Sequence, residues 1–174
     1  WQFDVNSSAL LVIDMQRDFV EAGRPMEVPM ARERLPHMRE LVDGARAAKV
    51  PIIFTQHVLC DQFNISPLET SNNPRLLTEG LREGTDGIEV MPQLDPRPTD
   101  HFVKKHRYDA FYNTNLEVLL HTLRGYCMID TVIIAGTLTE VCCDSTARSA
   151  FMRDFKVVFA QGATGGATQA AHHA

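Results

Sequence analysis

Three kinds of reactive side chain stand where apolar runs end. Asp14 closes Ser8-Ala-Leu-Leu-Val-Ile-Asp14, and Lys104 and Lys105 close the run that starts at His101. Cys142 follows Thr131-Val-Ile-Ile-Ala135 by way of Gly136-Thr-Leu-Thr-Glu-Val. An acid, a lysine and a cysteine thus converge on one sheet edge, and a thiolate is an attacking nucleophile. Cys142 lies close to the predicted start of a helix, where free N–H groups and the helix dipole favour an anion. The expectation is a lowered thiol pKa and N–H groups able to hold an oxyanion. Taken singly, each group has an ordinary reading. An Asp at a strand end is often a loop or cap residue, paired lysines are usually solvated, and a Cys in an apolar segment is usually a small core residue. Convergence on one edge of a sheet outweighs those readings.

The elements that would bring them together alternate. Apolar residues at Leu35, Met38, Leu41, Val42 and Ala45 predict a helix over Met30–Lys49. A second strand covers Val50–Gln56, with Gln56 and His57 at its end, and a weak third covers His101–Lys104. Asn115–Leu123 reads as a helix with Thr114 as its N-cap. Thr131–Ala135 is a strand without a polar face after its first residue, Cys142–Met152 a helix, and Lys156–Ala160 a fifth strand. Such alternation predicts an α/β fold: three αβα layers around a Rossmann-like, mostly parallel sheet of five to six strands, with helices on both faces. The site of such a sheet lies at the carboxyl ends of its strands. Cys60–Arg97 is irregular and rich in Pro, Asn, Gly and Thr. After the fifth strand come Gly162, Gly165, Gly166 and an Ala-rich helix start that stops at Ala174, and the expectation is a single domain over 1–174 with either a truncated C-terminus or a disordered tail.

The 174 residues are 44% apolar and 22% charged, ordinary values for a globular chain. A net charge of −5 argues against nucleic acid as a partner. No apolar run approaches the ~20 residues that span a bilayer, so no membrane role is expected. The four cysteines, Cys60, Cys127, Cys142 and Cys143, are too few and irregular for a secreted disulfide scaffold, which predicts a cytoplasmic protein with free thiols. Adjacent Cys142 and Cys143 lack C-x-x-C spacing, which disfavours a redox protein; Cys143 points elsewhere on its helix and reads as packed.

Three segments, in order, resemble the isochorismatase-like cysteine hydrolases, a group with nicotinamidases, N-carbamoylsarcosine amidohydrolase, ureidoacrylate amidohydrolase and biuret hydrolase among its members. They are Ala9-Leu-Leu-Val-Ile-Asp-Met-Gln-Arg-Asp-Phe19, Val103-Lys-Lys-His-Arg-Tyr-Asp-Ala-Phe111, and Ala135-Gly-Thr-Leu-Thr-Glu-Val-Cys-Cys-Asp-Ser-Thr-Ala-Arg148. The resemblance covers nearly the whole chain. It implies Asp14 as catalytic base, Lys105 rather than Lys104 as catalytic lysine, and Cys142 as nucleophile. It also implies a cis peptide between Thr137 and Leu138 that aims backbone N–H groups into an oxyanion site. The implied activity is metal-free hydrolysis of an amide or ureido C–N bond through a thioester, with no cofactor, in a homodimer or homotetramer.

Two departures narrow the substrate. Nicotinamidases carry an Asp-x-His metal cluster after the second strand; here the stretch is Thr55-Gln-His-Val-Leu59, which disfavours a metal site and nicotinamide. True isochorismatases lack the cysteine, so Cys142 argues against isochorismate. The nucleophile segment is nearest to ureido- and carbamoyl-type members. Candidate substrate contacts are Phe19, His57, Tyr108 and Phe111, with Tyr112 and the 60–97 loop around them and Arg17, Arg107 and Arg148 as carboxylate anchors. The contrasting expectation is a catalytically silent relative serving as a binding or assembly module, since fold does not fix function.

Overall fold

The computed structural model describes residues 2–61, 64–123, 125 and 128–174; Cys127 lies outside them. In chain order it has β1 (Ser8–Ile13), α1 (Arg17–Val20), α2 (Pro29–Ala47), β2 (Ile52–His57), α3 (Pro67–Asn72) and β3 (His101–Lys105). Then follow α4 (Leu116–Thr122), β4 (Thr131–Thr137), α5 (Asp144–Phe151), β5 (Lys156–Gly165) and α6 (Gln169–His173). Among the described residues the strands form one sheet in the order β3-β2-β1-β4-β5, with every pair parallel. The fold is the expected three-layer α/β architecture, with five strands.

The two-residue repeat of a strand explains the layers. Along β1, Leu10 and Val12 enter one core while Ala9, Leu11 and Ile13 enter the other. The first core is covered by α2 through Ala31, Leu35, Met38, Val42 and Ala45. The second is covered by Leu116 and Leu120 of α4 and Ala150 of α5. β1 is buried along its whole length, as a central parallel strand must be. Chain direction across the sheet reverses between β1 and β4, and a crevice opens at the carboxyl ends of such a pair.

Several boundaries differ from the sequence expectation, each for a local reason. Pro29 occupies the first turn of α2, where its missing N–H costs nothing. α4 begins at Leu116, and Thr114 Oγ1 accepts the Leu116 N–H at 3.2 Å instead of capping one residue earlier. β5 runs five residues past Ala160, because its ladder to β4 is interrupted by a register shift and then resumes at Gly136–Thr164. The helix after β4 begins with a π-helical turn over Thr139–Cys143, so Cys142 lies inside the turn rather than at a helix start. The 60–97 region holds α3 and short 3-10 turns at Pro74–Leu77, Asp86–Ile88 and Pro92–Leu94. Asp18 of α1 anchors it: its Oδ2 accepts the Leu81 N–H at 2.6 Å, and Arg24, 3.8 Å from Asp18, also pairs with Asp86 at 2.7 Å.

Candidate active site

Asp14 follows β1 directly and has a left-handed backbone, φ 47°, a region that Asp tolerates better than most residues. Thr55 of β2 fixes it from both ends. The Asp14 N–H donates to Thr55 Oγ1 at 3.0 Å, and Thr55 Oγ1 donates to Asp14 Oδ1 at 2.6 Å. The other carboxylate oxygen, Oδ2, lies 2.6 Å from Lys105 Nζ. Lys105 closes β3 with its side chain turned inward, whereas Lys104 points out to Glu83 at 3.5 Å. Lys105 Nζ also donates to the Arg107 carbonyl at 2.9 Å.

From β4 the chain reaches Cys142 through the Thr137–Leu138 peptide, which is cis. The crossing is tight at Gly136, whose φ is +121° and where a Cβ would land on the Ile13 carbonyl. Thr137 Oγ1 ties the strand end to the Gly165 carbonyl at 3.0 Å. Cys142 Sγ lies within 4.8 Å of an Asp14 carboxylate oxygen, and Asp14, Lys105 and the Leu138 N–H all act electrostatically on its thiol. Asp14, Lys105 and Cys142 are 0%, 1% and 2% exposed, so the three meet out of water.

Burial reverses the expected sign of the thiol shift. It pushes Cys142 up to about 12, and the neighbouring Asp14 carboxylate adds to this against the pull of Lys105 and the Leu138 N–H. The resting thiol is therefore protonated. Burial opposes the Lys105 charge, but Asp14 and Cys142 outweigh it and hold the ammonium above the ordinary lysine value. Cys143 is fully buried in the second core, and burial keeps its thiol protonated too.

His57 ends β2, 3% exposed, with Nε2 lacking a hydrogen-bond partner among the described residues. Burial, then the charges of Lys105, His106 and Arg107, push its pKa well below the usual histidine value, so the ring is neutral. A ring nitrogen of His57, a carboxylate oxygen of Asp14 and Cys142 Sγ all lie within 4.8 Å of one another. Gln16 holds the His57 backbone on both sides, donating to its carbonyl at 3.0 Å and accepting its N–H at 2.7 Å.

The other sequence candidates divide. Tyr108 is 44% exposed and stands near Glu69 of α3, whose carboxyl burial raises in pKa. Arg107 lies 4.0 Å from the same carboxylate. Phe19 and Phe111 are both core residues; Phe111 packs on Phe155 at 6.0 Å under the Arg153 guanidinium. Arg17 is engaged by Glu21 and Glu89, and Arg148 is a solvated partner of Asp144. Thr55 and Gln16 are the residues that sequence reasoning missed. Their signal was faint: one polar residue inside Ile52-Ile-Phe-Thr-Gln56, and an amide two positions after Asp14.

The isochorismatase domain family matches residues 8–174, and the chain belongs to it. Nicotinamidase 3 of Arabidopsis thaliana is 32% identical over 176 residues, covering 98% of this chain and 80% of the plant protein. A ureidoacrylate amidohydrolase of Pantoea ananatis is 28% identical over 180 residues, covering 93% and 70%. The crystal structure of a cysteine hydrolase from Pseudomonas syringae superposes with a TM-score of 0.85 at 28% identity, covering 95% of this chain and 76% of that one. The chain is a hydrolase of the amidohydrolase type.

Proposed function

We propose that the protein hydrolyses the C–N bond of a small linear amide or ureido compound through a Cys142 thioester. The observation that carries this reading is the meeting of Asp14, Lys105 and Cys142, all buried, at the carboxyl ends of the strands. With the thiol protonated at rest, attack needs a base in contact, and Asp14 is that base. As Sγ bonds to the carbonyl carbon, the thiol proton passes to Asp14. The oxyanion takes hydrogen bonds from the backbone N–H groups of Leu138 and Cys142. The C–N bond breaks, and Asp14 returns the proton to the departing nitrogen. Water then attacks the thioester carbon and gives a proton to Asp14, the C–S bond breaks, and the proton goes back to Sγ. Lys105 keeps Asp14 in place and offsets each anion. The residues themselves supply both charge signs, so the steps call for no metal ion.

Tyr108, Glu69 and Arg107 form the polar group on the loop side and are the proposed substrate contacts, together with His57. Nicotinamide is the second reading, favoured by the similarity to the plant nicotinamidase. The test is ammonia release from ureidoacrylate, biuret, N-carbamoylsarcosine and nicotinamide by the native protein and by Cys142→Ala. Release from a ureido compound that vanishes in the variant supports the proposal, and release from nicotinamide alone supports the second reading. Release that survives Cys142→Ala overturns both. Absence of release from the whole panel favours a silent binding module.

A further inference from the structure

His57 stands beside the buried Asp14–Lys105 ion pair. Among the described residues its neutral ring carries an Nε2 that is buried without a partner, and such a group is expected to meet a ligand, water or ion. The nitrogen, oxygen and sulfur atoms gathered here come from His57, Asp14 and Cys142, three buried residues whose donor atoms lie within 4.8 Å. Imidazole, carboxylate and thiolate are the three protein donors of zinc. In a tetrahedral site such atoms stand roughly 3.5 Å apart, given bonds of about 2.0–2.3 Å, so a closure of about 1 Å completes the cage.

We propose that Asp14, His57 and Cys142 form an inhibitory site for a thiophilic divalent cation such as zinc, with one coordination position left open. The site shares its residues with the proposed hydrolysis and rests on that reading only for its consequence, which is that the bound ion occupies the nucleophile. On binding, the Cys142 thiol proton goes to solvent and sulfur bonds to the metal. Thiolate and carboxylate then offset the two metal charges, while the Lys105 ammonium, 2.6 Å from Asp14, is left opposing the ion. That repulsion gives selectivity. Zinc and cobalt recover it through the bond to sulfur, whereas magnesium and calcium, which prefer oxygen, do not.

The test uses the full chain, stripped with a chelator and desalted, and titrated with cobalt(II) alone. One equivalent is expected to give a sulfur-to-cobalt charge-transfer band with tetrahedral visible bands, all removed by zinc. Cys142→Ala is expected to lose the charge-transfer band. His57→Ala is expected to bind zinc at least about 10-fold more weakly in a chelator competition, and Lys105→Met more tightly. Circular dichroism of each variant checks that it is folded. No band at one equivalent, or an unchanged band in Cys142→Ala, overturns the site. Because the band is read without substrate, it stands or falls separately from ammonia release. If release is observed, zinc at one equivalent stops it and chelator restores it.

Discussion

Lys104 and Lys105 are neighbours of one type with opposite surroundings. The strand repeat turns one to solvent and Glu83, the other into a pocket where Asp14 is its counter-charge. Removing one partner of a buried ion pair costs about 3–5 kcal/mol, whereas an exposed pair is worth about 0–1 kcal/mol. Lys105→Met should therefore lose that stability in urea unfolding along with ammonia release, and Lys104→Met should keep both. Reactivity of Cys142 follows from burial. At about pH 7 iodoacetamide should label it more slowly than partly exposed Cys60, with the rate rising about tenfold per pH unit above that. Labelling of Cys142 first at neutral pH contradicts the protonated resting state. His57 has the opposite pH sign. Its folded-state pKa lies below the ordinary 6.5, so its contribution to stability is complete above about pH 6.5 and is lost as the pH falls. The acid-side fall in melting temperature should be shallower in His57→Gln than in the native protein. The strand-end places of Asp14 and of the Lys104–Lys105 pair were legible because reactive side chains at strand ends are conspicuous, whereas the choice of Lys105 came from the family resemblance. The direction of the thiol shift was not legible, since a helix start is visible in a sequence and the depth of burial is not.

At the scale of elements, strand interiors were readable where both faces are apolar, as in β1 and β4. Boundaries went astray where pairing partners decide them. The residues Gln161 and Gly162 look like a strand end, yet β5 continues because β4 is there to pair with beyond the irregularity. The π-helical turn before α5 has no sequence pattern of its own. Two side chains show how elements are fastened at the crevice. Thr55→Val keeps the shape of β2 but leaves the Asp14 N–H and Oδ1 without their partner. This should cost about 1–3 kcal/mol in chemical denaturation and lower turnover, since the carboxylate is no longer held from that side. At Gly136, both the positive φ and the approach to Ile13 forbid a side chain. Gly136→Ala should separate β1 from β4 and yield little folded protein, measured as the soluble fraction and its melting temperature.

At the scale of the whole molecule, a buried carboxylate of α1 fastens the segment around Leu81 and Asp86. Asp18 takes the Leu81 N–H, lies beside Gly87 and stands near Arg24, which reaches Asp86. Asp18→Ala should open the 73–97 segment to limited proteolysis before the sheet melts. Nothing in the composition of that segment announces its order, because its fixed points come from α1, far away in sequence. The strand order has a consequence of its own. Asp14, Cys142 and Lys105 belong to three separate chain segments, and β3 reaches β1 only through β2. No contiguous stretch of the chain holds the chemistry, and each parallel neighbour demands closure of a long loop before it is rewarded. Catalytic competence is thus a property of the finished sheet: on dilution from denaturant, helical signal should return first and turnover last.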